Sequence, residues 1–175
     1  MNLPNLLSAS RVILIIPIIF FFEINYFLMS CFVFIFASLT DFLDGYLARK
    51  KKLESDLGGL LDLLADKLFV SILLVWLSFK FDSYFLLICT IIIISREISV
   101  SYLRLFLITQ SKEISEISSD FSGKLKTSFQ MIGLGLLLIS SLNPLYFYNL
   151  SLILIFLSAF LSWYSFYSYL KKWIV

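Results

Sequence analysis

Four aspartates, Asp41, Asp44, Asp62 and Asp66, lie close together in a chain of 175 residues that is 60% hydrophobic. A charge inside a hydrocarbon-length segment is costly to place, so such residues usually face a cavity and carry function. They occupy two stretches, Asp41-Phe-Leu-Asp44-Gly45-Tyr-Leu-Ala48-Arg49 and Gly58-Gly59-Leu-Leu-Asp62-Leu-Leu-Ala-Asp66. On a helix, positions 41, 44, 45 and 48 recur at i, i+3, i+4 and i+7, which puts Asp41, Asp44, Gly45 and Ala48 on one face. Positions 58, 62 and 66 recur at i, i+4 and i+8 and align Gly58, Asp62 and Asp66. Four carboxylates brought together at low dielectric repel one another. Divalent cations relieve that repulsion, and hard oxygen donors suit Mg²⁺ or Mn²⁺. The glycines let a bulky ligand approach the backbone, and Arg49 is placed to meet phosphate. The chemistry read from these residues is a metal-dependent phosphate site at a membrane surface.

Two antiparallel helices joined by the polar turn around Lys50 to Ser55 would bring both acidic stripes to one depth. The rest of the chain supplies a membrane setting for them. Its 60% hydrophobic and 18% aromatic content, with a mean hydropathy of +0.95, exceeds what a soluble domain can bury. The fold class expected is an all-α integral membrane protein, a single domain over residues 1–175. Apolar runs predict six transmembrane helices, over about 6–22, 26–48, 57–79, 84–108, 123–142 and 145–170. Pro4 and Asn5 predict a short interfacial N-terminal helix ahead of the first span. Arg49 to Lys52, Lys112, Lys124, Lys126, Lys171 and Lys172 gather on one face and Lys80 alone on the other, so both termini are expected in the cytoplasm. Asp41 precedes Arg49 by roughly 12 Å of helix, which sinks the cavity below the cytoplasmic surface and leaves it open to that side.

Several function classes drop out. There is no histidine, which removes Ser-His-Asp chemistry and His-ligated zinc. Cys31 and Cys89 have no metal-ligand spacing and read as packing residues. A formal charge of +2 is too small and too dispersed to argue for nucleic acid. The N-terminus lacks the basic n-region and cleavage site of a removable signal peptide.

The pattern Asp-x2-Asp-Gly-x2-Ala-Arg-x8-Gly-x3-Asp-x3-Asp is met without a gap by Asp41, Asp44, Gly45, Ala48, Arg49, Gly58, Asp62 and Asp66. In this the chain resembles the CDP-alcohol phosphotransferases. Within them it is most similar to the bacterial enzymes that make phosphatidylglycerophosphate. That closer likeness rests on Pro4-Asn5-Leu-Leu-Ser8-Ala-Ser-Arg11, on Arg96-Glu97-Ile98 with Arg104, and on Gly123-Lys124-Leu-Lys126-Thr127-Ser-Phe-Gln130-Met131. It covers roughly residues 4–135, with Ser8 in place of an expected Thr and Leu63 in place of an expected Pro.

The resemblance implies transfer of the phosphatidyl group of CDP-diacylglycerol to sn-glycerol 3-phosphate, with release of CMP, in phospholipid biosynthesis at the inner cell membrane. It implies a two-metal site of Mg²⁺ or Mn²⁺ on Asp41, Asp44, Asp62 and Asp66, with Asp66 also the general base. It implies CDP contacts from Asp41, Asp44, Gly45, Ala48, Arg49, Gly58 and Asp62, and a homodimer. The acceptor phosphate, a dianion, needs cations, and Arg96, Arg104, Lys124 and Lys126 are the basic residues of the fourth and fifth spans that could converge on it.

Blander readings compete. Arg96 and Glu97 could form a structural ion pair, and Lys124 and Lys126 could snorkel to the interface. Lys67, about 100° around the helix from Asp66, reads as a counter-charge outside the site. Serine, inositol phosphate or phosphatidylglycerol are alternative acceptors. A small ion or proton transporter would spread its acids across the membrane depth, whereas these crowd toward one face. A membrane scaffold gives no reason for glycine and aspartate to share stripes.

Overall fold

Asn25 and Asp82 carry left-handed backbone, with φ of 65° and 45°. Asn and Asp tolerate that region better than most residues because their short side chains bond locally. Each sits in a turn of a few residues, so the helices on either side run as antiparallel neighbours. The computed structural model describes the backbone of residues 3–51, 56–109 and 121–174. Side chains are described over residues 10–40, 64–103 and 125–168 and at 170 and 171.

The elements are α1 (Leu3–Glu23), α2 (Phe27–Lys51), α3 (Asp56–Lys80), α4 (Tyr84–Thr109), α5 (Phe121–Ile139) and α6 (Asn149–Ile174). A 3-10 turn at Ser140–Leu142 and a π turn at Pro144–Tyr148 join the last two. Among the described residues there is no strand. Both aspartate-bearing stretches are therefore helical, as their spacing predicts.

The helices pack in a closed circuit. α1 lies against α2 and α3, α3 against α4, α4 against α6, α6 against α5, and α5 against α2, while α3 also reaches α5 across the middle. Ile18, Phe22, Phe34, Phe69, Leu73, Leu77, Leu134, Leu138 and Ile155 fill the interior. Phe34 of α2 stacks on Phe69 of α3, centroids 5.6 Å apart. Polar ties supplement the packing where little else distinguishes one apolar face from another. Ser30 Oγ donates to the Ile18 carbonyl at 2.8 Å, and Trp163 Nε1 donates to the Ile92 carbonyl at 3.1 Å. Gly133 lets α5 and α6 approach closely: a Cβ there would stand 2.8 Å from Ile155 Cγ1. Cys31 and Cys89 are free thiols within this packing, as expected.

Among the described residues, three helical stretches are long and apolar enough to cross a bilayer: Tyr84–Leu103, Leu125–Leu142 and Pro144–Ser168. A shorter apolar helical stretch covers Phe27–Thr40. At most 39% of any of the three long windows is buried, so most of their apolar surface points outward. That distribution belongs to a membrane protein, whose outer solvent is hydrocarbon.

One expectation is corrected. No separate interfacial helix precedes the first expected span, because α1 is unbroken from Leu3 to Glu23. Pro4 falls in its first turn, where a missing N–H costs nothing and a fixed φ favours the helix. The fifth and sixth apolar stretches reach Leu142 and begin at Pro144, close to the expected limits, with the α-helical part of the fifth ending at Ile139 and that of the sixth opening at Asn149. Asn143 takes part in this reversal, its side chain accepting from the Tyr146 amide at 3.4 Å.

Candidate active site

One group of polar residues lies where α3, α4 and α5 converge. Asp66 and Val70, Lys67 and Ser71, Ile93 and Glu97, and Lys126 and Gln130 are each i, i+4 pairs, so α3 turns two short stripes inward and α4 and α5 one each. Together with Thr127 and Met131 these residues line a cavity of about 330 Å³. One wall thus carries the last aspartate of the acidic stripe, and another carries a lysine expected to hold the acceptor phosphate.

Glu97 is the hub of this cavity. Its Oε1 accepts from Arg96 NH1 at 2.9 Å and also from Lys126 Nζ, and its Oε2 lies 3.8 Å from Lys67 Nζ. Lys67 further donates to Ser101 Oγ and to the Glu97 carbonyl, the latter at 3.4 Å. Ser101 Oγ in turn donates to the same carbonyl at 2.7 Å. Cations from three helices therefore converge on one carboxylate. Like charges about 4 Å apart repel by about 4 kcal/mol at an effective dielectric of 20, so this crowding needs the anion at its centre.

Helix α6 fixes the far side of the cluster. Arg96 Nε donates to the Ser162 carbonyl at 3.0 Å, and Ser158 Oγ donates to the Lys126 carbonyl at 2.9 Å. Arg96 and Lys126 are both buried. The expected ion pair between Arg96 and Glu97 is present; Glu97 lines the cavity, as does Lys126, whereas Arg96 is not among its lining residues.

Helix α1 supplies a further cation. Arg11, 2% exposed, pairs with Asp66, whose side chain is 42% exposed. Its position in an otherwise apolar first span was the available signal for a buried role. Lys67, read from helical geometry as lying outside the site, lines the same cavity as Asp66. The cavity spans enough of α3 to take in neighbours 100° apart.

The side chains of Asp41, Asp44, Gly45, Ala48, Arg49, Gly58 and Asp62 lie outside the described residues, as do those of Arg104 and Lys124. For these positions the structure gives helical backbone: α2 carries 41–49, α3 carries 58 and 62, α4 carries 104 and α5 carries 124. Among the described residues no group of three or more potential metal ligands is present.

Residues 1–164 match the family model described as CDP-alcohol phosphatidyltransferase. The chain belongs to that family. A protein from Rickettsia typhi is 37% identical over 177 residues, covering 97% of this chain and 96% of its own length. One from Haemophilus influenzae is 38% identical over 177 residues, covering 97% and 92%. One from Pseudomonas fluorescens is 38% identical over 141 residues, covering 79% and 72%. All three bear the name CDP-diacylglycerol–glycerol-3-phosphate 3-phosphatidyltransferase. Family membership thus rests on nearly the whole chain, well beyond the eight-position motif.

Proposed function

We propose that this protein transfers the phosphatidyl group of CDP-diacylglycerol to sn-glycerol 3-phosphate, giving phosphatidylglycerophosphate and CMP. The relatives' shared name supports the substrates. The observation that carries the reading is the cavity in which Asp66 and Lys126 face one space. A carboxylate able to accept a proton and a cation able to hold phosphate are what a phosphorylated alcohol needs to become a nucleophile.

In this reading the acceptor hydroxyl oxygen attacks the phosphorus that bears diacylglycerol. A new P–O bond forms, the bond from that phosphorus to the bridging oxygen breaks, and CMP leaves with the electron pair. Asp66 takes the hydroxyl proton. Lys126 and Arg96, with Arg104 and Lys124 from the same helices, hold the acceptor's phosphate. Asp41, Asp44, Gly45, Ala48, Arg49, Gly58 and Asp62 hold the CDP group.

The donor set is chemically fitted to a hard divalent cation, being carboxylate oxygen throughout. Asp41, Asp44, Asp62 and Asp66 would hold Mg²⁺ or Mn²⁺ in a two-metal arrangement. Such ions, when bound, stabilise charge on the pyrophosphate and on departing CMP. The same proposal includes six membrane spans in the inner membrane, both termini and the cavity mouth on the cytoplasmic side, and a homodimer.

The test is turnover by purified protein given CDP-diacylglycerol and, separately, glycerol 3-phosphate, serine, inositol phosphate or phosphatidylglycerol. CMP release is expected with glycerol 3-phosphate; release with only another alcohol would reassign the acceptor.

A further inference from the structure

Resting on that reading, we propose that Gln130 of α5 is a specificity-determining residue that hydrogen-bonds a second, non-reacting hydroxyl of the acceptor. The cavity lining has two levels. Phe85 meets Phe156 and Arg96 meets Ser162, so α4 runs with α6. Gly133 lies against Ile155 and Lys126 meets Ser158, so α5 runs against them. α3, antiparallel to α4, therefore runs with α5. One level carries Asp66, Glu97 and Lys126. Four residues along each helix, about 6 Å away, the next carries Val70, Ile93 and Gln130. The first level is charged and the second is neutral.

Gln130 is 5% exposed, yet its amide has no hydrogen-bond partner among the described residues and opens on the cavity it lines. Ser71, on α3 at the same level, is likewise without one. A buried polar group left unpaired beside Val70, Ile93 and Met131 costs the fold unless a ligand completes it. The amide offers N–H donors and a carbonyl acceptor and carries no charge. That matches a hydroxyl, which both donates and accepts, whereas a phosphate dianion would leave the carbonyl unpaired. The eight-residue CDP pattern stands on α2 and α3, while Gln130 stands one turn from Lys126 on α5, so the hydroxyl belongs to the acceptor. Glycerol 3-phosphate carries two: one gives its proton to Asp66, and the other is left for Gln130 to read.

The experiment compares glycerol 3-phosphate with 3-hydroxypropyl phosphate, which keeps the phosphate and one terminal hydroxyl and lacks the second hydroxyl. Wild type, Gln130→Met and Gln130→Asn are assayed as full-length protein in lipid nanodiscs, with CMP release as the readout. Wild type should prefer glycerol 3-phosphate in kcat/KM by at least about 100-fold, since a site built to bond a hydroxyl rejects the analogue lacking it. Gln130→Met conserves volume and should bring that preference to within about threefold, with the KM for CDP-diacylglycerol within about twofold of wild type. Gln130→Asn, which keeps the amide on a shorter stem, should recover part of the preference. The thermal midpoint of Gln130→Met should hold or rise, because an unpaired amide has left an apolar wall. Wild type that uses both acceptors equally well overturns the inference without any variant, leaving water as the partner of Gln130. A preference that persists in folded Gln130→Met overturns it too. A lowered midpoint with equal losses toward both acceptors would make Gln130 merely structural, which also overturns it. Wild type that fails to use glycerol 3-phosphate overturns the functional reading and this inference with it.

Discussion

Arg11 of α1 and Asp66 of α3 are joined by an ion pair whose halves sit in different surroundings, the guanidinium 2% exposed and the carboxylate 42% exposed. The buried partner is the cation, and the accessible one is the group that would meet substrate. Removing each partner should therefore have a different consequence.

Arg11→Ala deletes a long buried side chain and leaves Asp66 without its cation. Breaking a buried pair costs about 3–5 kcal/mol when the survivor stays buried. Asp66 can rehydrate from the cavity, so the low end, about 3 kcal/mol, is expected. A drop in the thermal midpoint of the detergent-solubilised protein, together with lost CMP release, would match this. A midpoint equal to wild type would show that the pair contributes nothing to packing.

Asp66→Asn keeps shape and volume and removes the proton acceptor. A positioned general base is worth about 10²–10⁴-fold in rate, so CMP release should fall at least 100-fold in a protein that still elutes as folded. Arg11 would then face a neutral amide, and a modest fall in midpoint, smaller than that of Arg11→Ala, should accompany the loss. Retained turnover in a folded Asp66→Asn protein removes Asp66 from catalysis.

How far the site could be read in advance depends on what each signal encodes. The aspartate spacing names two helical faces, and the backbone of α2 and α3 is helical throughout both motifs. Helix limits follow hydropathy closely at α4, where Tyr84 opens the helix after the Asp82 turn. At the end of α5 they do not, because a run of apolar residues looks alike whether it continues as α, 3-10 or π. Partnership is the larger gap. Nothing in the spacing of Arg11 says that it meets a residue 55 positions away, because that depends on α1 lying against α3. Lys67 is a counter-charge as read, to Glu97, but its place in the cavity lining was not legible for a related reason. Helical angle describes one helix, whereas the cavity is bounded by α4 and α5 as well.

Metal removal tests the donor chemistry directly. Exhaustive chelation should abolish CMP release, and Mg²⁺ or Mn²⁺ should restore it, since carboxylate oxygens prefer hard cations. Zn²⁺ should restore less, there being no histidine in the chain to favour it. Turnover that survives chelation would remove the divalent ion from the proposed mechanism.

Gly133 and Gly135 of α5 offer a test of the fold that bypasses the site. At Gly133 a Cβ would stand 2.8 Å from Ile155 Cγ1, which is branched into the α6 packing and is not the free end of a side chain. At Gly135 the nearest atom is a Phe34 ring carbon at 3.6 Å, an ordinary contact. Both positions are helical, so both substitutions gain the same helix propensity, about 0.5–1 kcal/mol from Gly to Ala. Overpacking at Gly133 should outweigh that gain, at about 1–3 kcal/mol, because α5 and α6 must separate for the methyl to fit. Gly133→Ala should therefore lower the thermal midpoint, and Gly135→Ala should leave it level or raise it slightly. Activity should follow in the same order, because Ser158 and Ser162 of α6 hold Lys126 and Arg96 from behind. Equal midpoints for the two variants would mean that α5 and α6 do not meet at the separation described.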